Sequence, residues 1–149
     1  IKIPDSQTPF SVGELWVMDV EGMKARKLAD VDAGHGFAAN WSPDGKRIAF
    51  VARENPDDER ADQSSESLIS NVYIVDVESG ALTPVTHLTE GHVETPFWSP
   101  DGNSLAFNVV INGKIEVRIA DVDVVGSPNP AEIRSLITES TCCPAWMRK

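Results

Sequence analysis

Apolar residues along the chain fall into short blocks, each bounded by Gly, Pro, Asp, Asn or Ser. Arg47–Ala52 and Val72–Val77 show this most clearly: each is brief, rich in β-branched or aromatic residues and closed by turn formers. Ser-Pro-Asp-Gly at 42–45 and 99–102 predicts a tight turn joining antiparallel strands. Pro presets the backbone, Asp supports the bend and Gly takes a left-handed conformation. Asn112-Gly113 predicts a second hairpin, between Leu105–Val110 and Lys114–Asp121. Further turns are expected at Val20-Glu21-Gly22 and Glu78-Ser79-Gly80. No segment carries a convincing helical period; Pro130–Ile137 is the only faint candidate and reads as a strand.

The blocks repeat. Trp41-Ser42-Pro43-Asp44-Gly45-Lys46-Arg47-Ile48-Ala49-Phe50 returns 57 residues later as Trp98-Ser99-Pro100-Asp101-Gly102-Asn103-Ser104-Leu105-Ala106-Phe107. At the same offset Glu14–Glu21 matches Asn71–Glu78, and His35 matches His92. A weaker copy of the second segment is Arg118–Val122, and Pro144-Ala145-Trp146 matches Pro96-Phe97-Trp98. Three tryptophans thus mark one repeat position, while Trp16 shares another with Tyr73.

Each full unit holds four strands, A to D. In the second unit these are Phe37–Ser42, Arg47–Arg53, Asn71–Val77 and Leu82–His87; the third runs from Val93 to Ile137. The chain opens with C and D at Glu14–Leu28 and closes with a lone A strand at Cys142–Met147. Four-stranded units of roughly 40–50 residues are propeller blades. The expected fold is all-β, with about three blades of four antiparallel strands in a single domain. Residues 1–33 form a partial blade, 34–90 a full blade with a long 53–70 loop, 91–140 a full blade and 141–149 a lone inner strand.

The run Trp-Ser-Pro-Asp-Gly-x-x-Ile/Leu-Ala-Phe, followed by a strand such as Leu-Trp-Val-Met-Asp-Val, resembles the TolB-type β-propeller repeat over most of residues 14–147. The WD type is excluded because its strand C tryptophan-aspartate pair is absent. The resemblance implies a protein-interaction propeller of six blades in a periplasmic or extracellular setting. Related repeats occur in propellers attached to prolyl-oligopeptidase-type peptidases, in tricorn-like proteins and in oligogalacturonate lyases. The chain departs from the family pattern in its number of blades, in lacking the N-terminal α/β domain of TolB and in its long insertion. Three blades cannot close a ring, and an open sector leaves two apolar flanks. Two copies would supply six blades, with the closing A strand of one completing the opening blade of the other and Ile1–Pro4 serving as the missing B strand. The competing expectation is a segment of a longer propeller with no function alone.

Composition narrows the partners. Of 149 residues 41% are hydrophobic, and 13 basic against 23 acidic residues give a net charge of −10. Such a chain is poorly suited to nucleic acid or an anionic membrane, and no apolar run approaches a membrane span. Cys142 and Cys143 are adjacent, a geometry that disfavours an ordinary disulfide, and match no zinc spacing.

By strand parity, His35, His92 and the segment Arg53–Ser70 share one end of the blades, where function is expected. The segment holds six acidic and two basic residues. Its bland reading is a solvated loop; its functional reading is an arm docking a basic protein partner, with Asp57, Asp58 and Glu59 beside His35, His92 and Glu94 as contact residues. Calcium at Asp57–Glu59 fits no EF-hand spacing. The two histidines read first as turn caps. Their functional alternative is a metal or proton-transfer pair at the channel mouth, as in a metal-dependent carbohydrate-active or hydrolytic propeller; Ser140 at the third equivalent place weakens it. Asp44 and Asp101 are turn residues at the opposite end, and Asp19, Asp76 and Asp121 are expected to bond their own turns. No Gly-x-Ser-x-Gly elbow, phosphate loop or dinucleotide motif occurs. The sequence therefore predicts a non-catalytic interaction scaffold with no cofactor.

Overall fold

The structure, a computed structural model, describes residues 12–21, 24–32, 39–55, 68–122, 133–137 and 144–147. Every described element is a β-strand, and every pairing is antiparallel. β1 (Val12–Met18) and β2 (Ala25–Asp32) form a two-stranded sheet. β3 (Asn40–Trp41), β4 (Arg47–Arg53), β5 (Ser70–Asp76) and β6 (Leu82–Pro84) form a four-stranded sheet in sequential order. β7 (His92–Trp98), β8 (Ser104–Ile111), β9 (Lys114–Asp121) and β10 (Arg134–Ile137) repeat that order. These are four-stranded antiparallel blades, and the successive sheets stack face to face.

The stacking explains why the middle strands show no polar face. In β4, Ala49 and Val51 pack with Val72 and Ile74 of β5 against Val93, Leu105, Phe107 and Val109 of the next sheet. Ile48, Phe50 and Val75 face the other way, toward Ala29 with Leu15 and Val31 of the first sheet. The second sheet is buried on both faces, so its central strands read as continuous apolar runs.

The Ser-Pro-Asp-Gly turns are built identically. The Gly45 amide donates to the Ser42 carbonyl at 2.9 Å, and the Gly102 amide to that of Ser99 at 2.9 Å. The glycines sit at φ +71° and +74°, a region that costs a residue with a Cβ. The Ser42 hydroxyl donates to Asp44 Oδ1 at 2.5 Å, which also accepts the Lys46 amide; Ser99, Asp101 and Asn103 repeat the pattern. Ser42 Oγ and Ser99 Oγ in turn accept the amides of Arg47 and Ser104, each at 2.9 Å.

The strand limits differ from expectation where side chains intervene. Strand D of the second unit ends at Pro84 rather than His87. Thr86 Oγ1 takes the Val72 amide at 2.9 Å in place of a regular ladder of carbonyls, and the chain turns inward with Val85 and Thr86 buried. Strand A of that unit is Asn40–Trp41, with 37–38 outside the described residues. In β7 a bulge between Glu94 and Phe97, with Thr95 at φ 46°, aims the Pro96 carbonyl at Asn40 Nδ2, 2.7 Å away. Pro144–Met147 follows β7 without being paired as a strand, and Ile1–Pro4, Cys142 and Cys143 lie outside the described residues.

The hydrogen bonds from Ser42 and Lys46 hold the Asp44 carboxyl below its ordinary value; Ser99 and Asn103 do the same for Asp101, and Ser79 for Asp76. Their contribution is complete above the unfolded carboxylate value of about 3.9 and is lost as pH falls through the lowered folded values. Urea midpoints should therefore drop between pH 7 and pH 3, and Asp44→Asn with Asp101→Asn should flatten that drop. A second expectation concerns the seam. Trp98 donates its indole N–H to the Asn40 carbonyl at 3.0 Å while the Arg47 guanidinium lies 4.7 Å above its ring. Trp98→Phe should cost about 1–3 kcal/mol in urea unfolding, from the lost hydrogen bond and a weakened cation–π contact.

Candidate functional site

Alternating connections place the β4–β5 and β6–β7 loops at one end of the sheets. There the ends of the long insertion are held in a hydrogen-bonded collar. The Glu54 amide donates to the Ile69 carbonyl at 3.0 Å, Arg53 pairs with Ser70 in register, and Leu68 is fully buried. Glu54 Oε2 accepts from Asn71 Nδ2 at 3.1 Å and from the Tyr73 hydroxyl at 3.5 Å. Asn71 Oδ1 accepts the Thr86 hydroxyl and the Leu88 amide, both at 2.7 Å. One buried asparagine thus ties the insertion to the β6–β7 loop. Ser70 Oγ accepts the Val93 amide at 3.2 Å, which carries the tie to the next sheet. Burial raises the pKa of Tyr73, and the neighbouring Glu54 carboxylate adds to the effect.

His92 opens β7 beside this collar but lies inside the protein, 5% exposed. Its Nε2 is 3.6 Å from Glu94 Oε1, and Glu94 is the more exposed of the two. Gly91, at φ +73°, precedes it because a Cβ there would collide with the Val110 carbonyl. Asn108, paired in register with Glu94, is also buried, with an Oδ1 that has no hydrogen-bond partner among the described residues. The solvent side of this end is acidic: Glu54 and Glu90 are exposed and Glu94 partly so. His35, Asp57, Asp58, Glu59 and Ser140 lie outside the described residues. Of the sequence candidates the structure therefore brings together His92 and Glu94. The polar set Arg53, Glu54, Ser70, Asn71, Thr86 and Asn108 was not foreseen, although Ser70-Asn71 at the head of an apolar run was its visible trace.

The opposite end offers a hollow of about 370 Å³ lined by Asp44, Arg47, Asp101 and Asn103, where both carboxylates are engaged in their own turns. Asp76 likewise holds its turn, through Ser79. Asp121 departs from expectation: it accepts from Ser104 at 2.8 Å and pairs with Arg134 at 3.1 Å, across strands rather than within a turn. A longer groove of about 640 Å³ runs over the inner strands, lined by Trp41, Trp98 and Trp146 with prolines and Asn40. Among the described residues no three of His, Cys, Asp and Glu come together to hold a metal, and no helix is long and apolar enough to cross a membrane.

No family model matches the chain. It is 37% identical over 67 residues to a protein of Bacillus subtilis named uncharacterized peptidase YuxL, covering 45% of this chain and 9% of that protein. It is 32% identical over 83 residues to uncharacterized protein Atu1656 of Agrobacterium fabrum, covering 56% and 24%. The chain thus spans less than a quarter of the length of these curated relatives. Among solved structures, TolB from Acinetobacter baumannii superposes at a TM-score of 0.58 with 20% identity, over 87% of this chain and 28% of that one. The β-propeller domain of the trilobed protease from Pyrococcus furiosus, described as having an open velcro topology, gives 0.56 with 16% identity, over 85% and 35%. At these identities the likeness concerns the fold, and with the Trp-Ser-Pro-Asp-Gly turns and four-stranded sheets it establishes that the chain has a TolB-like β-propeller fold.

Proposed function

We propose that the chain is a non-catalytic interaction scaffold that binds a protein partner through the loop end bearing the acidic insertion. The observation that carries this reading is the collar. Both ends of the insertion are fixed by Glu54, Leu68 and Asn71 to a rigid sheet, within a rim of Glu54, Glu90 and Glu94. Six acidic residues against two basic ones between positions 53 and 70 then present a dense negative charge from a fixed base. A basic segment is the complementary partner, and charge of this kind speeds encounter more than it deepens affinity. Asp57, Asp58 and Glu59 make the contacts together with Glu94, and His35 belongs to the same end. His92, being interior, acts by positioning Glu94. A periplasmic or extracellular setting accompanies this reading through the TolB likeness.

A second reading is favoured by the identity to a protein named as a peptidase and by the protease propeller fold. There these blades form the non-catalytic propeller of a hydrolase, and the same loop end meets a catalytic domain instead of a separate protein.

An oligolysine peptide is a sufficient probe. Replacing Asp57, Asp58 and Glu59 with Asn, Asn and Gln should weaken its binding roughly tenfold at low salt, by calorimetry, and the difference should vanish near 0.5 M salt. Equal affinity at low salt would sink the scaffold reading. The collar has its own test. Asn71→Val leaves the Thr86 hydroxyl, the Leu88 amide and one Glu54 oxygen short of a partner, and should lower stability to urea by about 2–4 kcal/mol.

A further inference from the structure

The face of the third sheet turned away from the second carries a polar set that the repeat does not require. His92 and Glu94 are two residues apart on β7 and so share that face, and Asn108 of β8 stands opposite Glu94 in register. Side chains in such a cross-strand pair are about 4.5–5.5 Å apart at Cβ. The neighbouring Val93 and Val109 point the other way, into the core shared with the second sheet. One repeat earlier the place of Asn108 is held by Val51, part of that apolar core, and the place of Glu94 by Phe37. An apolar residue at the position of Asn108 is therefore compatible with the blade, and only the histidine is common to both units.

Keeping these polar groups inside is unfavourable by itself. His92 is 5% and Asn108 2% exposed, and Asn108 Oδ1 has no hydrogen-bond partner among the described residues. A buried acceptor without a donor destabilises the fold, where a valine would not. His92 Nε2 lies 3.6 Å from Glu94 Oε1, too far for a hydrogen bond. Two ligands each about 2.1 Å from a tetrahedral ion stand roughly 3.4 Å apart, so the observed separation is close to that of a ligand pair. A carboxylate and an amide oxygen only accept, and an imidazole nitrogen accepts in its metal-binding form. What such a set calls for is a positive centre between its members.

We infer that His92 Nε2, a carboxylate oxygen of Glu94 and Asn108 Oδ1 bind one divalent transition-metal ion, with water completing its coordination. The imidazole disfavours calcium and magnesium, which take oxygen ligands, and the lack of sulfur disfavours copper(I). The short spacing of His92 and Glu94 matches tetrahedral zinc. Glu94 is the side of the site open to solvent, its side chain being 32% exposed, and the two buried ligands close the rest. The ion ties β7 to β8 across their register and fixes the Glu94 carboxylate at the loop end. The inference does not rest on the proposed partner, because the three ligands stand whether or not a basic peptide binds.

The test is zinc binding to the 149-residue chain after stripping with a chelator, followed by calorimetry and by thermal unfolding. One zinc per chain should bind and raise the unfolding midpoint. Glu94→Gln and Asn108→Val should each weaken binding roughly 30-fold or more, since even groups behind metal ligands are worth about 10–100-fold. Asn108→Val installs the residue found at the equivalent Val51, so without zinc it should be at least as stable as the wild type. Glu94→Gln, at a partly exposed position, should keep its fold by circular dichroism and provides the second variant. Cobalt should give the intense visible absorption of a four-coordinate site and lose it in both variants. Replacing Cys142 and Cys143 with Ser should leave zinc affinity unchanged. A chain that binds no zinc, that binds magnesium or calcium as tightly, or that keeps its zinc in both variants would overturn the inference.

Discussion

The fold depends on its middle sheet being covered on both faces. Ala49, Val51, Val72 and Ile74 point one way from the second sheet, and Ile48, Phe50 and Val75 point the other. A single sheet of this kind would leave an apolar face in water, at a cost of roughly 25 cal/mol per Å². Apolar contact alone does not fix how two sheets slide past each other, because burial has no direction. The indole bond from Trp98 to the Asn40 carbonyl supplies that direction, and the reverse bond from Asn40 Nδ2 to the Pro96 carbonyl locks it. The bulge at Glu94–Phe97 then follows as a requirement of the seam, since it turns the Pro96 carbonyl toward its neighbour. Arg47 adds to the same joint, with its guanidinium over the Trp98 ring and a bond to the Gly102 carbonyl at 3.2 Å.

The two ends of the sheets have separate roles as a result. At the turn end, Ser42, Asp44, Ser99 and Asp101 spend their polar groups on closing hairpins, and Arg47 ties adjacent turns together. Little there remains to meet a partner. At the loop end the buried polar groups hold loops instead of turns: Asn71 joins the insertion to the β6–β7 loop, and Ser70 joins it to β7. Glu54 and Glu90, exposed at that end, take no part in these seam contacts, so that surface can vary while the blades keep their register.

The fold was legible in the sequence because its determinants are local and repeated. Ser-Pro-Asp-Gly dictates its turn within a few residues, and the observed strand Arg47–Arg53 has the limits that the pattern predicts. Strand D of the second unit was overextended because the sequence shows apolar, β-prone residues through Val85, whereas the hydroxyl of Thr86 takes the next ladder position. The tryptophans were visible as a repeat mark, but their role as donors to the neighbouring unit depends on strands far apart in sequence meeting in space, Trp98 and Asn40 being 58 residues apart. His92 shows the same limit. Its repeat position pointed to a channel mouth, while its placement inside depends on which face of β7 it occupies next to the bulge. Asn71, central to the loop end, left no trace beyond its place at the head of an apolar run, since a buried amide is recognised by its partners and not by its neighbours in sequence.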